Sequence, residues 1–299
     1  MKVVRTLRFP FVALGIVLAM ISSAGVGSAG ASGASIPAVA ENPTLAAAVP
    51  SAIKSAGTLT VAMDATYAPD EFVASDGTTI VGMDADLADA IGQVLGLKVT
   101  LVNATFDTII PALESGKFAL GMSSFTDTKA REKVVNFVDY FVAGEGYYVS
   151  SNSQYHPNGL AALCGHTVSV ESGTTEQSDA QAQAKACKKN KKAAVKVLSF
   201  ATQSEANLAV SSGRANVGFA DSQIAQYIVA QSNGEFRSSG KAFETAPYGI
   251  AVPKGTALDT SVQGAIKVLM SDGTYLKILK KWGISAGAVT AAPINGATS

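Results

Sequence analysis

The stretch SSFTDTKAR (123–131) gathers hydroxyls at Ser123, Ser124, Thr126 and Thr128, an acid at Asp127 and a guanidinium at Arg131. It follows FALGM (118–122), an apolar run with the length of a buried strand. Hydroxyls and an arginine directly after such a strand suit the binding of an anion. A guanidinium pairs with a carboxylate through two parallel N–H donors, and backbone N–H groups at a helix start add further donors. TKAREKVV predicts a helix opening near Arg131. The plain alternative is a surface arginine paired with Glu132. A charge of the opposite kind sits at Asp221, which opens the helix expected after ANVGF (215–219). It either caps that helix or faces an ammonium group. SGTTEQ (172–177) is a glycine-led loop between a strand and a helix, able to bring backbone N–H groups close to a ligand. It has neither the lysine of a phosphate-binding P-loop nor the spacing of a dinucleotide loop. Tyr67 and Phe106 each follow a predicted strand and either enclose an aliphatic ligand stem or close the core. Asp64 ends the first strand beside Tyr67, placed to meet a polar or cationic group.

No residues have a catalytic pattern. His156 and His166 lie outside the predicted strand ends, no serine occupies a nucleophile elbow, and no paired histidines have metal spacing. The pattern favours binding over chemistry and calls for no cofactor.

These groups need a scaffold that brings distant strand ends together. From Leu59 onward, strand and helix patterns alternate, which argues for α/β layers with largely parallel strands. LTVAM (59–63), KVTLVN (98–103) and FALGM predict strands. DADLADAIGQVLG (84–96) carries Leu87, Ile91, Val94 and Leu95 at helical spacing, with Gly96 to end it. TIIPALES predicts a helix capped by Asp107, with Pro111 near its first turn. A second series begins near Thr167: strands TVSV, AVKVLSF and ANVGF alternate with helices SGTTEQSDAQAQAKA, SEANLAVSS and DSQIAQYIVAQS. GIAVPKG (249–255) predicts another strand, and LDTSVQGAIKVLMSDGTYLKILKKWG predicts two helices. ESGKFALGMSS (114–124) and SSGRANVGFAD (211–221) share the order helix end, Ser-Gly-basic, strand, polar residue, which pairs Ser124 with Asp221. Open α/β sheets bind ligands outside the carboxyl ends of their strands, so two similar half-molecules can face one cleft.

The chain of 299 residues suits one large domain or two modest ones. MKVVRTLR, the apolar FPFVALGIVLAMI and the small residues of SSAGVGSAGASGASIPAVA form the pattern of a secretory signal peptide over residues 1–40. Lys2, Arg5 and Arg8 are its charges, so the remainder holds 20 basic and 23 acidic residues. No basic stripe is left to track a phosphate backbone, which argues against nucleic acid; the basic run KACKKNKK reads as a solvated helix end. No cysteine lies near the cleavage region to carry a lipid anchor. Cys164 and Cys187 suggest a disulfide in a secreted chain; Cys164 with His166 as metal ligands is the rival reading.

The segment from GMDADL through FDTIIPALESGK to SSFTDTKAR resembles the first lobe of family 3 extracellular solute-binding proteins, the amino-acid-binding components of ABC importers. The resemblance runs from about Leu59 to Gly283, and DGTYLKILKKWG resembles the family's terminal helix. It implies an α/β, two-lobed type II periplasmic-binding-protein fold, with each lobe a mostly parallel sheet flanked by helices and the ligand in the cleft between them. Lobe 1 is then expected over 58–146 plus 248–290 and lobe 2 over 147–247. A lead-in segment (41–57) and a tail (291–299) complete the chain, and crossings fall near 144–151 and 245–252. By position, Arg131, Ser124 and Thr126 would hold a ligand α-carboxylate, with Thr174 and Thr175 adding donors. Asp221 would take the α-ammonium, Tyr67 and Phe106 would enclose the side chain, and Asp64 would read its tip. The implied function is capture of an L-amino acid, polar or basic, by a secreted monomer that delivers it to a membrane permease. A dehydratase-type enzyme or a ligand-sensing receptor module on the same scaffold is the alternative. Met83 in place of the usual aromatic or branched residue, and the long polar loop APDEFVASDGTTIVG, depart from the family pattern.

Overall fold

The computed structural model describes Met1 and residues 38–298; the expected signal peptide lies almost wholly outside the described residues. Helices α1 (Pro43–Ala48) and α2 (Ser51–Ala56) open the fold. Strands β1 (Thr58–Met63), β2 (Thr66–Tyr67), β3 (Glu71–Val73) and β4 (Ile80–Val81) follow, then α3 (Met83–Val94), β5 (Lys98–Asn103), α4 (Phe106–Glu114) and β6 (Leu120–Gly121). After β7 (Val135–Ser150) come β8 (Thr167–Glu171), α5 (Thr175–Lys189), β9 (Lys196–Phe200), α6 (Gln203–Ser211), β10 (Val217–Asp221) and α7 (Ser222–Gln231). The chain then forms β11 (Phe236–Pro253), α8 (Leu258–Ser271) and α9 (Thr274–Lys281).

Eight strands form one sheet in the order β5-β1-β6-β11-β7-β10-β8-β9, and β2-β3-β4 form a small separate sheet. The order reads symmetrically about its middle. β1 is parallel to β5 and β6 on one side, and β8 is parallel to β9 and β10 on the other. The two long strands β7 and β11 run antiparallel between the halves. β6 and β10, which carry the two similar sequence segments, are the strands that meet this central pair. The two lobes have their own apolar cores, one around Leu87, Ile91, Val138 and Ile266, the other around Val149, Val168, Val170 and Val217.

Local sequence explains most elements. α3 buries Met83, Leu87, Ile91 and Val94 at helical spacing, and Gly96 follows at φ +66°. Gly82 sits so close to the Asp70 carbonyl, at φ +137°, that a Cβ would lie 2.1 Å from it. The lead-in segment is not featureless: Asn42 accepts from the N–H groups of Thr44 and Leu45 to cap α1, and Leu45 and Ile53 pack on the core.

Two expectations fail. Asp107 does not cap α4, because the helix begins two residues earlier, at Phe106, with Thr105 at the N-cap. The Asp64 carboxylate, from the end of β1, accepts the Phe106 N–H instead (3.1 Å). The helix expected from TKAREKVV is a single 3-10 turn, Arg131–Lys133. Val135 is β-branched, which suits extended backbone, and β7 starts there, paired with Pro253.

Cys164 and Cys187 are joined in a disulfide. That excludes Cys164 as a thiolate metal ligand, and the His166 ring stacks on Tyr155 (3.8 Å between centroids). The bond closes a 23-residue separation, so the double replacement Cys164→Ser/Cys187→Ser is expected to lower the unfolding free energy by about 3 kcal/mol. Urea denaturation checks this; a loss below about 1 kcal/mol would assign the disulfide no such constraint. Among the described residues no helix is long and apolar enough to cross a membrane.

Candidate functional site

Arg131 leaves its turn and reaches between the lobes. Nη1 donates to the Thr126 carbonyl (2.8 Å) and Nη2 to the Gly173 carbonyl of the opposite lobe (2.9 Å). The guanidinium lies over the Phe106 and Phe125 rings, 5.4 and 5.6 Å from their centroids. It is not paired with Glu132, which binds Lys129. Among the described residues no carboxylate is within ion-pair distance of Arg131. Gly173 is at φ +84°, and a Cβ there would stand 2.8 Å from Asp107, so the loop closes on α4 only as glycine. Beside it, the Thr126 and Thr175 hydroxyls are 3.4 Å apart across the cleft. Burial lowers the Arg131 pKa, opposed by Glu176 and Asp221.

Two of the expected donors face elsewhere. Ser124 sits at φ +51° and turns its hydroxyl to Asp70 (2.9 Å), while its N–H donates to Asp84 (3.1 Å). It thereby joins a buried group of acids, Asp70, Glu71 and Asp84, rather than Arg131. Thr174 caps α5: its hydroxyl accepts from Gln177 N–H (3.1 Å) and donates to the Glu171 carbonyl (2.9 Å).

Asp221 occupies the N-cap position of α7 but makes no side-chain cap bond. Its buried carboxyl neighbours Glu176, Tyr248 and Arg131, and burial followed by the Glu176 charge pushes it well above the usual carboxylate range. Asp64 accepts from the Thr66 hydroxyl (2.7 Å) as well as from Phe106, and burial raises its pKa. The Tyr67 and Phe106 rings stack at 6.0 Å between centroids. A flat group between them needs roughly 7 Å, two carbon contact distances, so a ligand stem must part the rings or lie along their edges.

Two further acids share this space. Glu171 ends β8, is 1% exposed, and neither of its carboxyl oxygens has a hydrogen-bond partner among the described residues. Burial pushes it up to about 10, and the neighbouring Asp64 charge adds to the rise. Glu176, in the first turn of α5, accepts from Thr175 through one oxygen (3.2 Å); its Oε1 has no partner among the described residues. The cleft thus sets one guanidinium near Glu176 and Asp221, with Asp64 and Glu171 paired against each other beside Tyr67. Among the described residues no three His, Cys, Asp or Glu side chains are arranged to hold a metal ion.

Residues 59–285 match the bacterial extracellular solute-binding proteins, family 3. The chain belongs to this family. It is 31% identical to the arginine-binding protein ArgT of Corynebacterium glutamicum over 85% of its own length and 83% of that protein. An ancestral arginine-binding protein bound to glutamine superposes with a TM-score of 0.70 at 37% identity, covering 76% of this chain and 98% of that one. An ancestral amino acid-binding protein described as a precursor of cyclohexadienyl dehydratase gives 0.70 at 34% identity, with 80% and 99% covered.

This family 3 solute-binding protein is closed in the structure. Besides the Arg131–Gly173 bond, Gln203 N–H donates to the Thr66 hydroxyl (3.2 Å) and Gln223 Nε2 to Asp70 (2.9 Å), each across the cleft. Glu171 and Glu176 escaped the sequence reading. The signal for Glu171 was present: an acid directly after TVSV, at the same kind of strand end that singled out Asp221. Ending the predicted strand at Val170 hid it. Glu176 carried no such signal, since an acid in a first helical turn ordinarily serves the helix dipole.

Proposed function

We propose that the protein captures a cationic L-amino acid, arginine ahead of lysine, outside the cytoplasmic membrane and as a monomer, and delivers it to the permease of an ABC importer. The observation that carries the cationic assignment is Glu171, buried against Asp64 with both oxygens lacking partners among the described residues. A buried carboxyl without a donor is costly, and a cationic side chain supplies the donors. Arg131, with the hydroxyls of Thr126 and Thr175, takes the α-carboxylate; Asp221 and Glu176 take the α-ammonium. The remaining pair, Asp64 and Glu171, faces the side-chain tip. A planar guanidinium offers five donors in a fixed fork and can serve two carboxyls at once, which a lysine ammonium does less well. The relatives' names agree: one binds arginine by name, and another is an arginine-binding protein that also holds glutamine.

Titration calorimetry with arginine, lysine, glutamine and glutamate tests the reading. Arginine is expected to bind tightest, glutamine at least about tenfold weaker for want of one charge-assisted contact, and glutamate not at all. Glutamate or glutamine binding tighter than arginine would overturn it. Binding is expected without turnover; conversion of a cyclic carboxylic acid by the same preparation would support the dehydratase alternative instead.

A further inference from the structure

Asp64 is held by donors on both carboxylate oxygens. Phe106 N–H reaches Oδ2 (3.1 Å) and the Thr66 hydroxyl reaches Oδ1 (2.7 Å). The two donors differ in what fixes them. Phe106 N–H belongs to the first turn of α4, in the same lobe. The Thr66 hydroxyl can rotate, and its hydrogen is aimed from the opposite lobe. Gln203 N–H, at the first position of α6, donates to the same Thr66 oxygen (3.2 Å). A backbone N–H only donates, so the single Thr66 hydrogen is left for Asp64. Thr66 N–H also donates to the Asp64 carbonyl (2.7 Å), which ties the two residues into one turn. The Gln203 side chain is buried in its own lobe, where Nε2 donates to Asn207 Oδ1 (2.8 Å) and to the Tyr148 hydroxyl (3.2 Å). Burial raises the Asp64 pKa, and the Thr66 hydroxyl is foremost among the contacts that oppose the rise.

We propose that Thr66 is a specificity-determining positioning residue, whose hydroxyl relays the seating of Gln203 to Asp64 and so makes recognition of a cationic side-chain tip depend on lobe closure. The proposal rests on Asp64 facing the ligand side chain. An ionised carboxylate has about four acceptor sites, so Thr66 and Phe106 leave capacity for the ligand while favouring the charged form. When the lobes part, Gln203 N–H leaves with α6 and the Thr66 hydroxyl is free to turn away. Asp64 is 2% exposed, so a lost hydroxyl is not readily replaced by water. A cationic tip therefore gains from closure an oriented, charged Asp64, whereas a neutral tip gains less. A ligand shifts the closing equilibrium only by its differential contacts with the two states, so this selectivity is set in the closed form.

Titration calorimetry with arginine and glutamine on the full chain tests the relay. Thr66→Val keeps the branched shape without the hydroxyl. It is expected to lower the ratio of arginine to glutamine affinity about tenfold, the value of one hydrogen bond to a charged group. Thr66→Ser should bring the ratio back to within about threefold of the parent. Gln203→Pro removes the N–H at a position where proline suits a helix, and Thr202 already has the extended backbone that precedes proline (φ −136°, ψ 154°). Gln203→Ala, which keeps the N–H and loses the same side-chain bonds, is its control. The ratio should be at least about threefold lower in Gln203→Pro than in Gln203→Ala, and that difference should vanish in a Thr66→Val background. Thr66 is half-buried, so its two variants report even if the Gln203 variants fold poorly. Equal losses for arginine and glutamine in Thr66→Val would reduce Thr66 to a plain closure contact and overturn the proposal. So would an unrestored ratio in Thr66→Ser, or equal ratios in the two Gln203 variants. A parent protein without preference for arginine over glutamine would instead count against the proposed function.

Discussion

Arg131→Ala is expected to weaken amino-acid binding by roughly a hundred- to a few-thousand-fold, the equivalent of about 3–5 kcal/mol. Two effects add. The ligand carboxylate loses its guanidinium partner in a space where water cannot replace it, leaving a buried charge unpaired. Closure also loses the direct bond from Nη2 to the Gly173 carbonyl (2.9 Å), one of the bonds that join the lobes. Arg131→Lys keeps the charge but not the fork that reaches Thr126 and Gly173 together, so it should recover only part of the loss. Calorimetry on the three proteins decides the matter. Affinity within threefold of the parent in Arg131→Ala would remove Arg131 from the binding site.

The second large effect concerns Glu171. In the closed fold its carboxyl is pushed up to about 10, first by burial and then by Asp64, so it is protonated at neutral pH. A cationic side chain favours the ionised form, and binding must therefore release a proton. Arginine affinity should rise with pH above the ordinary glutamate value, until the ligand's own α-ammonium titrates. The enthalpy of binding should differ between buffers of different ionisation heat by close to one proton's worth. Glu171→Gln should abolish that buffer dependence and weaken arginine about ten- to a hundredfold, the value of one hydrogen bond to a charged group, while changing glutamine binding far less. Buffer-independent heats in the parent, or equal losses for arginine and glutamine in the variant, would separate Glu171 from the side chain. Stability follows the same linkage. The folded carboxyl holds its proton more tightly than the unfolded one, so its contribution is present at low pH and is lost as pH rises from about 4.5 toward 10. Glu171→Gln should flatten that decline in the ligand-free protein.

The amino-acid sequence by itself carried much of this. Strands and helices were legible because their signals are local: apolar period, a glycine stop at Gly96, and polar residues at strand ends. The likeness of 114–124 to 211–221 anticipated two equivalent strands, and β6 and β10 do flank the same central pair. Ser124 and Asp221 stood at those strand ends, and the family resemblance then implied a zwitterion held by Arg131 and Asp221. Local signals failed where the chain answered to distant partners. TKAREKVV reads as a helix in isolation, but pairing with β11 takes its last residue, Val135, into β7 and leaves room for only one 3-10 turn. Asp107 looks like a cap, but Asp64 reaches the helix end first.

Only the tertiary structure decided which side chains face the cleft. Ser124 and Thr174 have the right chemistry for a carboxylate, yet a left-handed backbone turns one toward buried acids and a helix cap claims the other. Glu171 gave only a strand-end signal in the sequence, yet the fold sets it against Asp64 from the opposite lobe. A side chain's type is a property of one residue, whereas its direction and its partner are fixed by packing between segments far apart in the chain. That is why the sequence could specify polar residues at the strand ends, and only the closed fold could show Glu176 and Asp221 beside Arg131, with Glu171 set against Asp64.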